Sequence, residues 1–388
     1  MSLPPVLFVL PQTDAVANGG IASISEIIGR MRLHRPIIVT DRETPRVEQW
    51  RREGIETHVV PQTASAGFLS NPIGTIRSYL RYGRVLRRLL DQSGAKIIHA
   101  NNPLSVQLSA AAAKLTGTKL ILNQRASFGA HRQPSRLKYR LIFAAVDHVL
   151  FLSEDMARRW REHVPNAGRS YSVTYSAVDP KRFFPTPASS ADEPVVLISA
   201  LIRPLKGQLE FLRHVAPKLA ESGVKIWFAG DFQPARDRYM AQCAEAAAPL
   251  GDSVQFLGYR ADIPELIARA SVIAVTSHHE GLVRAMIEAM ACGRPVVSFE
   301  VCSASEVLEK QSGGAGSVIA QGDYEGMAEA ILRYCRDHDL AADAGEKGAA
   351  TASSLFDPDA VVSRYEGVYQ RLALGDRGAG SLAQVEQQ

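Results

Sequence analysis

The chain has 388 residues, of which 46% are hydrophobic and 22% charged, so it is long enough for two globular domains with cores of their own. No apolar run reaches the ~18 residues of a membrane span, and the N-terminal MSLPPVLFVLPQ lacks the basic flank of a signal peptide. The cysteines show no metal-binding spacing and are typical of reduced packing residues. A cytoplasmic protein is predicted, either soluble or peripheral on the inner face of the cell membrane.

The net charge of +4 conceals an uneven distribution. Residues 1–187 hold 26 Lys and Arg against 13 Asp and Glu, a net charge of +13, whereas the remainder holds 18 against 27, a net charge of −9. Opposite signs in the two halves indicate two domains with different partners. We expect the basic half to face an anionic partner, and we expect no nucleic-acid partner.

Short apolar strands alternate with helices along the chain. In the first half, strands are expected at VLFVLP, PIIVTD, THVVP, KIIHAN, KLILNQ, HVLFLS and SYSVTY. After the Pro- and Ser-rich FFPTPASSADEP, further strands are expected at VVLISAL, KIWFAGD, SVQFLG, VIAVTS and PVVSFE. This alternation predicts an α/β fold of two Rossmann-like, doubly wound domains that face a shared cleft, with ligands at the carboxyl ends of the strands.

Two glutamates in SHHEGLVRAMIEAMACGRPVVSF stand eight positions apart. The sequence predicts a helix from Leu282 to Ala291, with Glu280 on the loop before it and Glu288 two turns along, so the carboxylates lie roughly 12 Å apart. That is too far for one metal ion but suits the two ends of an elongated ligand. Free backbone N–H groups between them can bind an anion, at Gly281, Leu282 and Val283. Two ordinary surface glutamates on a solvated helix are the alternative.

Other loops at predicted strand ends carry candidate ligand contacts. Arg203 and Lys206 in SALIRPLKG lie where cations can clamp a pyrophosphate. The remaining candidates are two glycines that open the first helix (Gly19 and Gly20), a glycine–aspartate pair after the FAGD strand (Gly230 and Asp231) and two residues suited to a nucleotide base (Tyr259 and Arg260).

Together these motifs resemble glycosyltransferase family 4. The resemblance rests on GG after the first strand, KG in RPLKG, FAGD, FLGYR, EGLVRAMIEAMACGRPVV and AVDPKRFFP. It implies a GT-B-type retaining enzyme that uses a UDP- or GDP-linked sugar without a metal ion. It also implies an acceptor-binding domain over 1–182, a linker over 183–193 and a nucleotide-sugar-binding domain over 194–357. A helix over 358–374 would cross back to the first domain, before a flexible tail over 375–388.

By the same resemblance, Glu280 would contact hydroxyls of the transferred sugar and Glu288 the nucleotide ribose. Lys206, together with an arginine, would neutralise the departing diphosphate. The chain departs from the family in two places. Leu201 occupies the position where the family usually has an arginine. We expect Arg203, two residues later, to supply the same positive charge. Where the family often has a histidine, the chain reads ILNQRAS, which makes Gln124 and Arg125, with Arg132, the candidate acceptor contacts.

Two other functions remain open. A nucleotide-sugar epimerase would need well-placed acid and base groups, and the histidines form no evident cluster for that role. A non-catalytic subunit that binds nucleotide sugars is the second alternative. A nicotinamide dehydrogenase is disfavoured, because no GxGxxG follows a strand.

Four arginines recur along one predicted helix, IGTIRSYLRYGRVLRRLL, at Arg77, Arg81, Arg84 and Arg88. Their spacing places them on a single stripe. Either the stripe is a solubilising surface, or it binds anionic lipid headgroups. The excess positive charge of this half favours the second interpretation, with a lipid-linked or otherwise anionic glycan acceptor.

Overall fold

The computed structural model describes residues 3–11, 19–61, 72–128, 136–186 and 193–375. The chain divides into two compact units. The first unit is Met1–Ala177 with Pro358–Gln388, and the second unit is Val178–Asp357. The division falls after Ala177, whereas the sequence predicts a boundary after residue 182. Part of the predicted linker, 187–192, and nearly all of the predicted tail, 376–388, lie outside the described residues.

The first unit contains a seven-stranded parallel sheet with the strand order β3-β2-β1-β4-β5-β6-β7. Its strands are β1 (Pro5–Val9), β2 (Arg35–Thr40), β3 (Glu56–Val59), β4 (Ile97–Ala100), β5 (Lys119–Gln124), β6 (His148–Phe151) and β7 (Tyr171–Val173). Its helices up to residue 177 are α1 (Gly19–Arg30), α2 (Pro45–Arg52), α3 (Pro72–Ser93), α4 (Pro103–Thr116), α5 (Arg136–Ala144) and α6 (Glu154–His163). Each of the seven strands matches a predicted one.

The central strands β1 and β4 are buried along nearly their whole length because helices cover both faces of this sheet. The chain moves along the sheet in one direction from β1 through β2 to β3, and in the opposite direction from β3 through β4 to β7. Since crossovers between parallel strands are right-handed, helices α3 to α6 lie on one face, and α1 and α2 lie on the other. The residues of β1 after Pro5 are fully buried.

The second unit contains a six-stranded parallel sheet with the order β10-β9-β8-β11-β12-β13. Its strands are β8 (Val195–Ser199), β9 (Lys225–Ala229), β10 (Val254–Gly258), β11 (Val272–Val275), β12 (Val296–Phe299) and β13 (Gly316–Ile319). Its helices are α7 (Gln208–His214), α8 (Ala216–Glu221), α9 (Arg238–Ala247), α10 (Ile263–Arg269), α11 (Arg284–Ala291), α12 (Tyr324–Arg336) and α13 (His338–Leu355). Both units are therefore doubly wound α/β folds.

Two details of the second unit differ from the sequence prediction. Strand β13 was not predicted, because GSVI is short and has only two large apolar residues. Helix α11 begins at Arg284 rather than at Leu282. Leu282 and Val283 are instead buried in the turn before the helix, with Val283 as its N-cap.

The last helix, α14 (Pro358–Ala373), belongs to the first unit and packs against α1. Its Glu366 is buried and accepts hydrogen bonds from the backbone N–H groups of Arg32, Leu33 and His34, at 3.1, 2.6 and 3.1 Å. Three N–H donors to one buried carboxylate compensate for its lost hydration. This side chain therefore fixes α14 to the turn that follows α1.

Candidate functional site

The candidate ligand contacts of the second unit follow the carboxyl ends of β8, β9, β10 and β11. Because every paired strand in this sheet is parallel, these four loops emerge at one edge. In open parallel α/β sheets this edge is where ligands bind. The fold thus brings the predicted loops of the second unit to a common edge.

Lys206 and Glu280, 74 positions apart in the chain, form an ion pair at this edge. The Glu280 oxygen that accepts from Lys206 also accepts from the Ser277 hydroxyl, at 2.6 Å. The side chains of Lys206 and Glu280 are 26% and 13% exposed, so both are held by the protein yet remain reachable. A cation and a carboxylate fixed side by side can contact a phosphate and a sugar hydroxyl respectively.

Hydrogen bonds to backbone carbonyl oxygens join the two loops that carry this pair. The Thr276 hydroxyl donates to the carbonyl oxygen of Lys206 at 2.6 Å, and the N–H of His278 donates to the carbonyl oxygen of Leu205 at 3.0 Å. Gly207 has a φ of 67°, and a Cβ at this position would lie 2.2 Å from the Thr276 carbonyl oxygen. Only glycine allows the loops to approach this closely.

Gln321 supports the same site from beyond β13. Its side-chain amide donates to the carbonyl oxygens of Ser277 and Glu300, at 3.0 and 3.2 Å. Gln321 thereby fixes the start of the loop that carries Glu280. Its role depends on a contact across 44 positions, which no local sequence pattern reveals.

Glu288 lies on α11 and pairs with Arg284 one turn earlier, at 3.0 Å. Burial raises the pKa of the Glu288 carboxyl above its ordinary value, while the charges of Arg284 and Arg182 act in the opposite direction. At the start of the same helix, no side chain caps the first turn. The backbone N–H groups there therefore remain suited to an anionic ligand.

The other candidate ligand contacts of the second unit are Gly230, Asp231, Tyr259 and Arg260. A Cβ on Gly230 would lie 2.1 Å from the Ala200 carbonyl oxygen, so this glycine permits close contact between the ends of β8 and β9. Asp231 accepts from the Gln233 amide at 3.1 Å. Tyr259 is 72% exposed, and Arg260 next to it pairs with Asp262. An exposed tyrosine ring beside a cation is suited to stack on a nucleobase.

In the first unit, Gln124 and Arg125 lie at the end of β5. Gln124 is buried, and its amide donates to the Ala126 carbonyl at 2.8 Å, while its Oε1 atom has no hydrogen-bond partner among the residues that the structure describes. Arg125 donates to the Ser176 hydroxyl at 3.2 Å. Gly19 and Gly20 are the first two residues of α1. Arg132 lies outside the described residues.

Three more buried polar atoms for which the described part of the chain provides no hydrogen-bond partner lie near the ends of the neighbouring strands, at His99 Nε2, Asn123 Oδ1 and Thr174 Oγ1. His99 accepts or donates one hydrogen bond at Nδ1, 2.8 Å from the Tyr369 hydroxyl on α14. Burial lowers the pKa of His99 to about 3, and the charge of Arg125 acts in the same direction. This imidazole is therefore neutral at physiological pH, which fits a structural role better than acid–base catalysis.

Comparisons with known proteins agree with this architecture. Residues 28–170 match the family model described as "Glycosyl transferase 4-like domain", and residues 193–337 match "Glycosyl transferases group 1". The chain is similar to the lipopolysaccharide core biosynthesis glycosyltransferase LpsE of Rhizobium meliloti (strain 1021). Identity is 28% over 264 residues, which cover 64% of this chain and 71% of LpsE. The chain belongs to the family 4-like glycosyltransferases of the GT-B type.

Two further comparisons cover more of the chain. An N,N'-diacetylbacillosaminyl-diphospho-undecaprenol alpha-1,3-N-acetylgalactosaminyltransferase of Campylobacter jejuni is 23% identical over 325 residues, covering 78% of this glycosyltransferase and 83% of the relative. The crystal structure of Anabaena Alr3699/HepE in complex with UDP superposes with a TM-score of 0.77 at 22% identity, over 94% of this chain and 99% of that one. The structural likeness shows the shared fold.

One departure of this glycosyltransferase from its family is visible in the structure. Leu201, at the family's usual arginine position, is 38% exposed, and its carbonyl oxygen accepts from the Gln208 amide at 2.9 Å. Arg203 is exposed two residues later, and its backbone N–H lies 3.4 Å from Gln208 Oε1. Among the residues that the structure describes, no carboxylate pairs with the Arg203 guanidinium. Its charge is thus available at the loop that carries Lys206.

Among the described residues, no helix is long and apolar enough to cross a bilayer, and no three His, Cys, Asp or Glu side chains are grouped to hold a metal ion. The contacts that the sequence did not reveal are those of Ser277, Thr276 and Gln321. The serine is the first residue of the SHHEGLVRAMIE motif and the threonine directly precedes it, but the fold alone determines their hydrogen-bond partners.

Proposed function

We propose that this glycosyltransferase transfers a sugar, with retention of configuration, from a UDP- or GDP-linked donor to a hydroxyl of a cell-surface glycan precursor, and that it needs no metal ion. The observation that carries the proposal is the Lys206–Glu280 pair, fixed by Ser277 at the carboxyl edge of the second sheet. It supplies a cation for a diphosphate and a carboxylate for a sugar in one place.

In this proposal the bond between the sugar's anomeric carbon and the diphosphate oxygen breaks, and negative charge accumulates on the leaving phosphate. Lys206 and Arg203 stabilise that charge, the task that a divalent cation performs in metal-dependent enzymes. Glu280 binds hydroxyls of the sugar, and Glu288 binds the ribose. The acceptor hydroxyl attacks from the face that the phosphate leaves, and its proton passes to a leaving phosphate oxygen.

The remaining candidate residues make further contacts with the donor and the acceptor in this proposal. Tyr259 and Arg260 contact the base, whereas Gly230 and Asp231 form the adjoining part of the donor site. The N–H groups of Gly281, Leu282 and Val283 face the diphosphate. In the first unit, Gly19 and Gly20 contact phosphate, and the acceptor contacts are Gln124, Arg125 and Arg132.

A donor screen followed by product analysis tests this proposal. UDP- and GDP-sugars are screened by thermal shift, because a ligand that binds the folded state raises the melting temperature. A donor that binds is then incubated with glycan acceptors in EDTA, and the anomeric configuration of the product is determined by NMR. We expect turnover in EDTA and retention. An inverted product, or turnover that requires added Mg²⁺ or Mn²⁺, would contradict the mechanism. Conversion of the donor without an acceptor would favour the epimerase.

We further propose that the first unit binds an anionic membrane surface. Arg77, Arg81, Arg84 and Arg88 are all exposed on α3. On α5, which lies on the same side of the sheet, Leu137 and Leu141 are each 66% exposed between basic residues. Arginines that border exposed leucines suit a surface of anionic headgroups above an apolar interior. The lipid-diphosphate acceptor in the name of the Campylobacter relative supports the same location.

Vesicle co-sedimentation tests the membrane proposal. The protein should pellet with vesicles that contain anionic phosphatidylglycerol but not with neutral phosphatidylcholine vesicles, and added salt should release it. Arg81→Glu combined with Arg84→Glu should abolish pelleting, since each headgroup contact contributes about 1 kcal/mol. Arg333→Glu combined with Arg336→Glu, on α12 of the second unit, is the matched control. Equal pelleting of the α3 variant and the wild type would refute the proposal.

A further inference from the structure

The segment from Val178 to Thr186 connects β7 to β8 and packs within the second unit. Arg294, a buried arginine on the turn after α11, holds its end by donating to the Thr186 carbonyl at 2.9 Å and to the Ala268 carbonyl of α10 at 2.7 Å. A cavity of about 310 Å³ lies along this segment and is lined by Lys181, Arg182, Ala261 and residues of α10.

Arg182 reaches from this segment to a loop that carries nucleoside candidates. Its guanidinium donates to the Ala261 carbonyl oxygen at 3.4 Å and lies over the Phe183 ring, 5.3 Å from the ring centroid. Ala261 directly follows Tyr259 and Arg260. The contact therefore fixes the backbone of the loop on which both proposed base contacts stand.

Arg182 also acts on Glu288, the proposed ribose contact. Arg182 lines the cavity together with Cys292, whose backbone N–H donates to the Glu288 carbonyl oxygen one turn earlier on α11, at 3.1 Å. The positive charge of Arg182, like that of Arg284 on α11, opposes the effect of burial on the pKa of the Glu288 carboxyl. A guanidinium has five N–H donors, and the Ala261 carbonyl is the single acceptor that the described residues provide for a hydrogen bond from this side chain. The other donors are available to a ligand.

We infer that Arg182 is a positioning residue of the donor site, one that connects the loop of Tyr259 and Arg260 to the cavity beside Glu288, where the ribose of a nucleoside diphosphate would bind. This inference rests on the proposed function, because it requires Glu288 to contact the ribose. It adds a residue on the segment between the two sheets to a site otherwise formed by strand-end loops.

The expected consequence of losing Arg182 is a change in the pH dependence of nucleotide binding. The charged groups that act on the Glu288 carboxyl are Arg284 on its own helix and Arg182. Burial raises the pKa of the nearby Cys292 thiol, and the Glu288 charge acts in the same direction. Without Arg182, burial is opposed by one cation instead of two, so the pKa of Glu288 rises further. Binding that needs the ionised carboxylate should then be lost at a higher pH.

Lys181 provides a matched control. It lines the same cavity and carries the same charge, but its one hydrogen bond to a described residue is made by its backbone N–H, 3.1 Å from Asp179 Oδ1. If general positive charge in the cavity were sufficient, Lys181→Ala and Arg182→Ala would have the same effect. If the contacts of Arg182 matter, the two variants should differ.

The experiment is calorimetric titration of the full chain with UDP and with GDP at a series of pH values from neutral into the acid range. Arg182→Ala should weaken binding about tenfold near neutral pH, the loss expected for one charge-assisted contact, and should move the midpoint of the pH profile upwards. Arg182→Lys should restore most of the midpoint, and Lys181→Ala should match the wild type. Combining Arg182→Ala with Glu288→Gln should weaken binding little more than Glu288→Gln alone, because glutamine at position 288 has no carboxyl to ionise.

The outcomes separate this inference from the proposal beneath it. If Glu288→Gln weakens binding but Arg182→Ala leaves both affinity and midpoint unchanged, Arg182 has no such role and the donor site stands. If Arg182→Ala weakens binding equally at every pH and independently of Glu288, the connection to Glu288 is refuted. If the wild type binds neither UDP nor GDP, the donor site and this inference both fall.

Discussion

The strand-end edges of the two units differ in how their polar groups are arranged. In the second unit the side chains at this edge contact one another, as in the Lys206–Glu280–Ser277 group. In the first unit, some buried polar atoms near the strand ends have no hydrogen-bond partner within the described ranges, among them His99 Nε2 and Asn123 Oδ1. Unpaired buried polar groups are costly. We expect the edge that is joined by an ion pair and the edge that leaves single buried polar atoms unpaired to respond differently to mutation and to pH.

The largest effect is expected for the cation of the paired edge. Lys206→Ala should lower turnover about 100- to 1000-fold, the range seen when one group that stabilises transition-state charge is removed. Lys218→Ala is the matched control, because Lys218 also pairs with a glutamate, Glu325, but on the outer helices. Its loss should leave turnover nearly unchanged, as expected for an exposed pair. The turnover of both variants is measured by steady-state kinetics with the donor found in the screen. Similar rates for the two variants would reject Lys206 as part of the site.

A smaller effect is expected when the contact between the two loops is disturbed. Gly207→Ala places a Cβ against the Thr276 carbonyl oxygen on a backbone with positive φ. We expect the free energy of unfolding to fall by about 3 kcal/mol or more, measured by urea denaturation. At Gly223, which also has a positive φ but an open surrounding, alanine should cost about 1 kcal/mol. Equal losses at the two glycines would mean that the close approach between the loops does not exist in solution.

The paired edge was also the more predictable one. Lys206, Glu280 and Glu288 could be chosen from the sequence because each stands in a short motif beside a strand that periodicity alone reveals. Gln321 could not, because its contact with Ser277 in the loop before Glu280 spans 44 positions and comes from the end of a strand too short to be predicted. The same limit explains why the side-chain contacts of the first unit could not be predicted. Its strands were all predicted, but the contact of His99 with Tyr369 spans 270 positions and depends on where α14 packs.

The two units should also differ in their response to acid. In the first unit, burial lowers the pKa of His99 to about 3 and that of His148 to about 4. A buried neutral histidine stabilises the fold above its unfolded pKa of about 6.5, and this stabilisation is lost as the pH falls, because the unfolded chain binds the proton first. In the second unit, Glu288 has a raised pKa, so acid has the opposite effect on its contribution.

Hydrogen exchange at two pH values can measure this difference. Lowering the pH from about 6.5 to about 5 should reduce the free energy of opening of the first unit by about 2 kcal/mol for each such histidine, and that of the second unit by less. His99→Gln should reduce the acid sensitivity of peptides from β4 and α14, even if the variant is less stable at neutral pH. His214→Gln, in the second unit, is the control. If β4 and α14 lose protection in acid equally with and without His99, a different group causes the acid response, and the unpaired Nε2 atom does not distinguish the two edges.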